Sequence, residues 1–427
     1  MKTQGRLKKR ETFVKINSFV LASFFSLSVL YEVSAARGLS GVSTLYMVAV
    51  MVLGVVNILL LNEIRIKRRK MQQFSKLMAL LLTAYGLTVV FSSVPTTMEP
   101  MKFVMWVAAP AFFITLDYDV ERILRYSMYL SLLSFFDIRA LLSDNMVSIR
   151  FAQASLGVIY DMLPCVVAAL FHFCYYRVRS SIFTKICYVY YLYVLVLMLP
   201  VIVRGALLSL LVGGIIIYLN RPDKEGLRIK RWTLKKKIFL LVVVALGVLV
   251  ILNYELIIVG IYEILEAQGI NFGFITKFYI YVQAGNVMDG RDNYYNIALE
   301  WFMKSPIWGN GIETFYAYSG DNVPYPHNYL LQFLFEGGIL LTLPILFQVG
   351  KLFYSLFSSQ FKQKDSAALL GCFSVVSIIP GLFSMDMWLL PTFWMAIMSI
   401  MIIGKSKREK IKKGRVHRVQ NLLSRNT

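Results

Sequence analysis

The sequence predicts an all-α, polytopic membrane protein of about twelve transmembrane helices, and three observations carry the prediction. Hydrophobic residues make up 57% of the 427-residue chain, only 16% are charged, and the mean hydropathy is +0.62, so the bilayer is the solvent. Apolar windows long enough to cross about 30 Å of hydrocarbon recur along the whole length. Between them the basic residues fall in short blocks, as loops on one side of a membrane do.

The windows lie near 16–35, 42–62, 77–96, 101–117, 123–137, 157–175, 186–203, 205–220, 238–259, 328–349, 367–384 and 386–404. The fifth and eighth are short, and 137–157, with Arg139 and Arg150, also reads as an amphipathic re-entrant segment. The Lys/Arg-rich start, Lys2 to Arg10, leads into an apolar stretch with no small-residue cleavage site, which predicts a retained first span. Basic loops follow from Glu63 to Lys70, Arg177 to Lys185, Arg221 to Lys237, Lys351 to Lys364 and Lys405 to Arg425. All fall on the side shared with the N-terminus. The positive-inside rule makes that side cytoplasmic, and an even span count puts both termini there, in an inner (plasma) membrane.

A net charge of +21 raises nucleic-acid binding as a possibility, but charge broken into inter-helix blocks reads as topology, so no nucleic-acid partner is expected. Cys165, Cys174, Cys187 and Cys372 lie in apolar runs without metal-ligand or disulfide spacing and read as small buried hydrophobes. No repeat or linker divides the chain, so residues 1–427 read as a single membrane domain with a basic cytoplasmic tail at 405–427. The alternation leaves one large external loop between spans nine and ten, at 260–327. There Tyr294, Ile297, Ala298, Trp301 and Phe302 share one helical face, which predicts an ordered cap with a helix lying against protein or the membrane surface.

The residues able to carry chemistry gather on the external side. Arg204 sits where two spans join almost without a loop, either as an anion clamp or as an interfacial arginine that snorkels. Arg291 precedes the amphipathic helix, either holding an anion or pairing with Asp289 or Asp292. His327, the one histidine of the external residues, is held at a helix mouth by Pro324 and Pro326. With an ordinary pKa of about 6.5 it suits general-base work, or it caps the helix. Trp301, Trp308, Tyr316, Tyr318, Tyr325 and Tyr329 could stack on sugar rings or form an interface belt, and Glu336 is expected to partner a buried arginine. Asp117 and Asp119 resemble a metal-binding acidic pair but lie on the cytoplasmic side beside Arg122 and Arg125, and read as a solvated helix start. No P-loop, Rossmann or zinc spacing is present.

The run Arg291-Asp292-Asn293 through Pro306-Ile307-Trp308-Gly309-Asn310-Gly311, followed by His327-Asn328 and Glu336-Gly337-Gly338, resembles the bacterial O-antigen ligase and Wzy-type polysaccharide polymerase family. Arg204-Gly205-Ala206-Leu207-Leu208 is similar to that family's Arg-x-x-x-Leu element. The resemblance implies a GT-C-like membrane glycosyltransferase acting on the outer face of the membrane on a glycan carried by undecaprenyl pyrophosphate. It implies no cofactor and no metal. Arg204 and Arg291 would bind the pyrophosphate, His327 would be the general base, and Trp301, Trp308, Tyr325, Tyr329 and Glu336 would line the substrate site. A single displacement would invert the anomeric centre. The expected partners are the lipid-linked glycan and the bilayer, with a chain-length regulator and a flippase beside them.

The motifs are shared by polymerases, which extend repeat units, and ligases, which pass the glycan to lipid A core or protein; a polymerase is the expectation because polymerases are the more numerous, with a ligase as the alternative. A flippase or transporter has a similar span count but should carry polar residues near mid-membrane in broken, repeated helices. The sequence places its candidates at one face instead.

Overall fold

The computed structural model describes residues 2–30, 40–61, 67–135, 149–198, 203–222, 233–270, 273–285, 291–320, 323–357 and 363–403. The helices that order them are α1 (Lys2–Phe25), α2 (Ser40–Leu61), α3 (Arg68–Phe91), α4 (Pro100–Phe113), α5 (Val120–Leu130), α6 (Ile149–Tyr176), α7 (Ile182–Met198), α8 (Arg204–Leu219), α9 (Leu234–Leu252), α10 (Tyr254–Ala267), α11 (Gly273–Gln283), α12 (Arg291–Lys304), α13 (Tyr329–Phe357), α14 (Lys364–Gly381) and α15 (Pro391–Ile403). The basic tail at 405–427 and residues 137–148 of the 137–157 segment lie outside the described residues.

Five helices among the described residues are long and apolar enough to cross a membrane: Gly41–Leu60, Arg68–Phe91, Ile159–Tyr176, Tyr329–Phe357 and Lys364–Gly381. A sixth arises if the bent pair Leu234–Val250 and Tyr254–Ala267 counts as one span. The chain is a multi-pass membrane protein. Hydropathy windows overstate what single helices provide. Helices α4, α7, α8 and α15 are apolar but shorter than 18 residues. The window 123–137 coincides with amphipathic α5, whose Arg125 pairs with Glu121 at 3.8 Å and whose Arg122 pairs with Asp119 at 3.5 Å. The window 238–259 breaks at Asn253, where the backbone amide (3.0 Å) and the side-chain amide (2.9 Å) both donate to the Leu249 carbonyl and close α9. Helix α10 then leaves at 85°. Much of the expected external loop is therefore helical, as α10, α11 and α12.

The core is built where α1, α5, α6, α8 and α14 pack on one another, with α15 adding Trp388, Phe393 and Trp394 from its start and the loop before it. Some polar groups inside it find partners, although Asn17 Oδ1, Asn57 Oδ1 and His172 Nε2 are buried without one. The Asn17 amide donates to the carbonyls of Phe113 (3.3 Å) and Asp117 (3.1 Å), and the Tyr46 hydroxyl donates to Ser23 Oγ at 2.9 Å. All four cysteines are free, three buried and Cys174 half-buried.

The two ends of the bundle differ in chemistry. At one end Asp117 meets Arg10 (3.2 Å) and Lys70 (3.8 Å), Arg122 meets Glu11 (3.4 Å), and the Tyr176 hydroxyl donates to Asp365 (2.7 Å). Asp119 accepts from the Arg122 amide at 3.2 Å and caps α5, which is the helix-start role read from the sequence. Arg204, Arg291 and His327 belong to the opposite end, where α6 carries Tyr160 rather than Tyr176.

Candidate active site

Helix α12 begins at Arg291, and its packed face is the predicted one. Tyr294, Ile297, Ala298 and Trp301 close over Phe315 and Phe335 in a satellite core with Tyr318, Val323 and Leu331. Helix α12 runs along the first turns of α13 and ends in the Pro306–Gly311 turn. That turn docks into a break in α13. Gly338 has φ 57° and ψ −159°, which interrupts the helical ladder. The freed amides find the turn: Ile339 donates to the Pro306 carbonyl (2.9 Å) and Leu340 to Ile307 (3.3 Å). In return Asn310 donates to Phe335 O (2.7 Å) and Gly311 to Glu336 O (3.0 Å). A Cβ on Gly309 would strike the Glu336 carbonyl, and one on Gly338 would strike Ile307 and Pro306. The glycines permit a backbone-to-backbone junction that no side chain would allow.

Arg204 is the first residue of α8, and its guanidinium carbon lies 4.0 Å from the ring centre of Phe278 and 5.5 Å from that of Tyr281, both on α11. Its neighbour Gly205 has no side chain because the Tyr160 hydroxyl occupies that space. Arg291 donates through Nη1 to the Phe383 carbonyl in the loop between α14 and α15. A Cβ on Gly205 would lie 3.2 Å from that of Phe383, whose carbonyl Arg291 binds, so two arginines 87 positions apart in the chain share one neighbourhood.

His327 has φ 54°, a left-handed conformation that costs a non-glycine residue about 1–2 kcal/mol. Asn328 holds it there. Its Oδ1 accepts from the amides of Leu330 (2.9 Å) and Leu331 (3.4 Å), capping α13, while its Nδ2 donates to Leu382 O (3.2 Å). The imidazole Nδ1 faces Ser384 Oγ at 3.4 Å, and its ring centre is 4.7 Å from that of Tyr325 and 6.3 Å from that of Tyr294. Burial pushes the Tyr325 hydroxyl up to about 12, with Asp386 adding and Ser384 and Arg291 opposing. One loop, 382–386, thus touches Arg291, His327 and Asn328.

A family model described as O-antigen ligase matches residues 189–346. Over that stretch the chain is similar to the O-antigen ligase family. Arg204, Arg291, His327 and the Glu336-Gly337-Gly338 break all fall inside it, and the family supports a membrane glycan-handling enzyme without separating polymerase from ligase. No curated protein matches the chain.

The remaining sequence candidates are placed differently from one another. Trp308 is 53% exposed, whereas Trp301 is wedged between the Lys304 ammonium (3.8 Å) and Tyr318 (4.5 Å). Tyr329 is buried against Phe333 and Phe393. Glu336 is buried too, and its partners among the described residues are not arginines. The Trp388 indole donates to Oε2 and Gln332 Nε2 donates to Oε1 at 3.2 Å. Gln332 also donates to Asp386 (2.8 Å) and accepts from the Met387 amide (3.3 Å), tying α13 to the 382–390 loop.

Sequence reading missed Tyr160, Gln332, Glu313 and the loop residues Ser384, Asp386 and Trp388. A lone acid between two apolar windows, Asp386, was the available signal. Glu313 carries φ 51° and is buried. Its Oε2 accepts from Thr97 (3.0 Å), its Oε1 has no hydrogen-bond partner, and burial beside Asp386 pushes its carboxyl up to about 7. Although these acids feel one another, no three of His, Cys, Asp or Glu among the described residues converge as a metal-ligand set.

Proposed function

We propose that the chain is a polysaccharide polymerase, of O-antigen, capsular or exopolysaccharide type, that joins polyprenyl-pyrophosphate-linked repeat units on the outer face of the inner membrane. The single observation that carries this reading is that Gly205, next to Arg204, packs against Tyr160 and Phe383, that the Phe383 carbonyl holds Arg291, and that the next residue, Ser384, faces His327. Two guanidinium groups suit the four-oxygen face of a pyrophosphate, and an imidazole beside them suits an attacking hydroxyl.

In the proposed reaction the acceptor hydroxyl attacks the anomeric carbon, and its proton passes to His327. The bond from that carbon to the pyrophosphate oxygen breaks with its electron pair leaving on the pyrophosphate, whose growing charge Arg204 and Arg291 stabilise. One displacement inverts the centre, without metal or cofactor. Both termini are cytoplasmic in this reading, and the short apolar helices complete about twelve crossings. Tyr325 offers a ring face to the glycan and Trp308 lies at the lipid-side edge of the site, while Tyr329, Trp301 and Glu336 act by holding the site's walls. A chain-length regulator and a flippase are the expected neighbours in the membrane.

The description of the matching family favours a second reading, a ligase that moves the finished glycan to lipid A core or protein. Purified protein given lipid-pyrophosphate repeat units without added metal should lengthen them, and His327→Ala, Arg204→Ala and Arg291→Ala should each fail to. Normal growth by all three, at normal protein levels, would sink the assignment. A deletion strain that still makes long chains but leaves them on the carrier lipid would instead establish the ligase.

A further inference from the structure

We propose that the hydrocarbon boundary on the Arg204 and His327 side lies at Gly338, and that Met303, Ile307 and Trp308 insert into outer-leaflet lipid there. The inference does not depend on which glycan transfer the site performs.

Helix α13 changes character at one residue. From Tyr329 to Gly338 every residue is buried or half-buried. From Ile339 onward exposed positions recur at 339, 340, 343, 344, 347, 350 and 354, the spacing of one helical face turned outward. Those positions hold Ile339, Leu340, Leu343 and, at 68% exposed, Phe347, which is a lipid-facing stripe and not a water-facing one. The stretch Ile339–Phe357 is about 28 Å long at 1.5 Å per residue, one hydrocarbon thickness, so α13 is long enough to cross without its first turns.

Helix α3 gives the same level independently. Its exposed apolar run ends at Val89, Val90 and Phe91, and the polar residues Ser92, Thr96 and Thr97 follow. Ser92 Oγ donates to Asn310 O at 2.9 Å, and the Asn310 amide donates to Phe335 O, within one turn of Gly338. Two helices thus stop facing lipid at the height of one turn, Pro306–Gly311.

The side chains at that height are apolar and outward. Met303 is 72%, Ile307 54% and Trp308 53% exposed, and the hydrogen bonds to Ile339 and Leu340 join them to the lipid-facing stripe below. Lys304 stacks on Trp301 and pairs with Glu300 at 2.7 Å, a cation at the water side of an aromatic, as in an interfacial belt. The consequence is a depth for the site. The first nine residues of α13 stand about 13 Å above the boundary, so Gln332, Glu336 and His327 work in a protein cap over the hydrocarbon and not within it. A lipid-borne anion must rise out of the hydrocarbon to reach Arg291 while its chain stays below.

Spin labels on single cysteines test this in lipid nanodiscs, with the four native cysteines replaced by alanine. Labels at Met303→Cys, Ile307→Cys and Trp308→Cys should give oxygen-to-nickel collision ratios between those of Phe347→Cys, the hydrocarbon reference, and Asp292→Cys, the aqueous one. Ratios equal to that of Asp292→Cys would overturn the proposal. So would labels shielded from both agents, which would mean that another protein or a second copy covers the patch. Should the cysteine-free background not fold, fluorescence quenching by lipids brominated near the headgroup decides the matter on the otherwise native chain. Quenching should fall in Trp308→Phe, and an unchanged value overturns the proposal.

Discussion

The Ile339 amide donates to the Pro306 carbonyl at 2.9 Å, and this bond joins the end of α12 to the break in α13. Both chains come this close because Gly338 carries no side chain and adopts φ 57°. Replacement of Gly338 by alanine should cost about 2 kcal/mol or more of stability, through strain and the clash with Ile307. Gly350→Ala, in the same helix with open space around it, should change stability by less than about 0.5 kcal/mol. Thermal unfolding of the two variants in detergent checks the contrast, and equal losses would refute the role given to the junction.

Arg204 rests its guanidinium on Phe278 at 4.0 Å. Lysine keeps the charge but lacks the planar fork, so Arg204→Lys should lower kcat/KM about 10- to 100-fold. Phe278→Leu keeps the volume and removes the ring, and should produce a smaller loss, seen mainly in KM. Initial rates with lipid-linked repeat units measure both.

His327 and Ser384 differ in what their loss should do. A missing general base typically costs about 10²- to 10⁴-fold in rate, which is the expectation for His327→Ala. The Ser384 contact is long, at 3.4 Å, so Ser384→Ala should cost less than about tenfold. A Ser384 variant as impaired as the His327 variant would show that the serine, not the imidazole, is the reacting group.

Glu313 gives the protein a pH dependence. Its carboxyl is raised to about 7 in the folded state from an ordinary 4.5, so the folded state binds its proton more tightly than the unfolded state does. The resulting stabilisation is complete below about pH 4.5 and fades as pH rises through 7. Glu313→Gln, which keeps an acceptor for Thr97, should flatten the fall in melting temperature between pH 5 and 8. An unchanged slope would reject this role.

Trp388 donates its indole N–H to buried Glu336. Trp388→Phe leaves that oxygen without its donor and should cost about 1–3 kcal/mol, read from thermal unfolding at fixed pH. A neutral outcome would mean that Gln332 alone satisfies the carboxyl.

The α12 face was legible in the sequence because Tyr294, Ile297, Ala298 and Trp301 repeat at helical spacing, and periodicity is a local property. So was the cap role of Asp119. The extent of single helices was less legible. A hydropathy window cannot see Asn253 closing α9, nor the ion pairs that make α5 amphipathic. The 382–390 loop was not legible at all, since its contacts to Arg291, Asn328 and Gln332 span more than 50 positions, and those to Arg291 and Asn328 depend on backbone carbonyls that every residue possesses.

By itself the sequence determined that this is an all-helical, multi-pass membrane protein, with Arg204, Arg291 and His327 in motifs that resemble those of the O-antigen ligase family. Composition and local spacing suffice for that. Only the tertiary structure decided that Glu336 answers to Trp388 and Gln332, that the two arginines come together through Gly205 and Phe383, and that the Pro306–Gly311 turn completes the broken helix at Gly338. Those outcomes depend on which distant backbone groups are left unpaired when helices end, and pairing of that kind is settled only once the chain has packed.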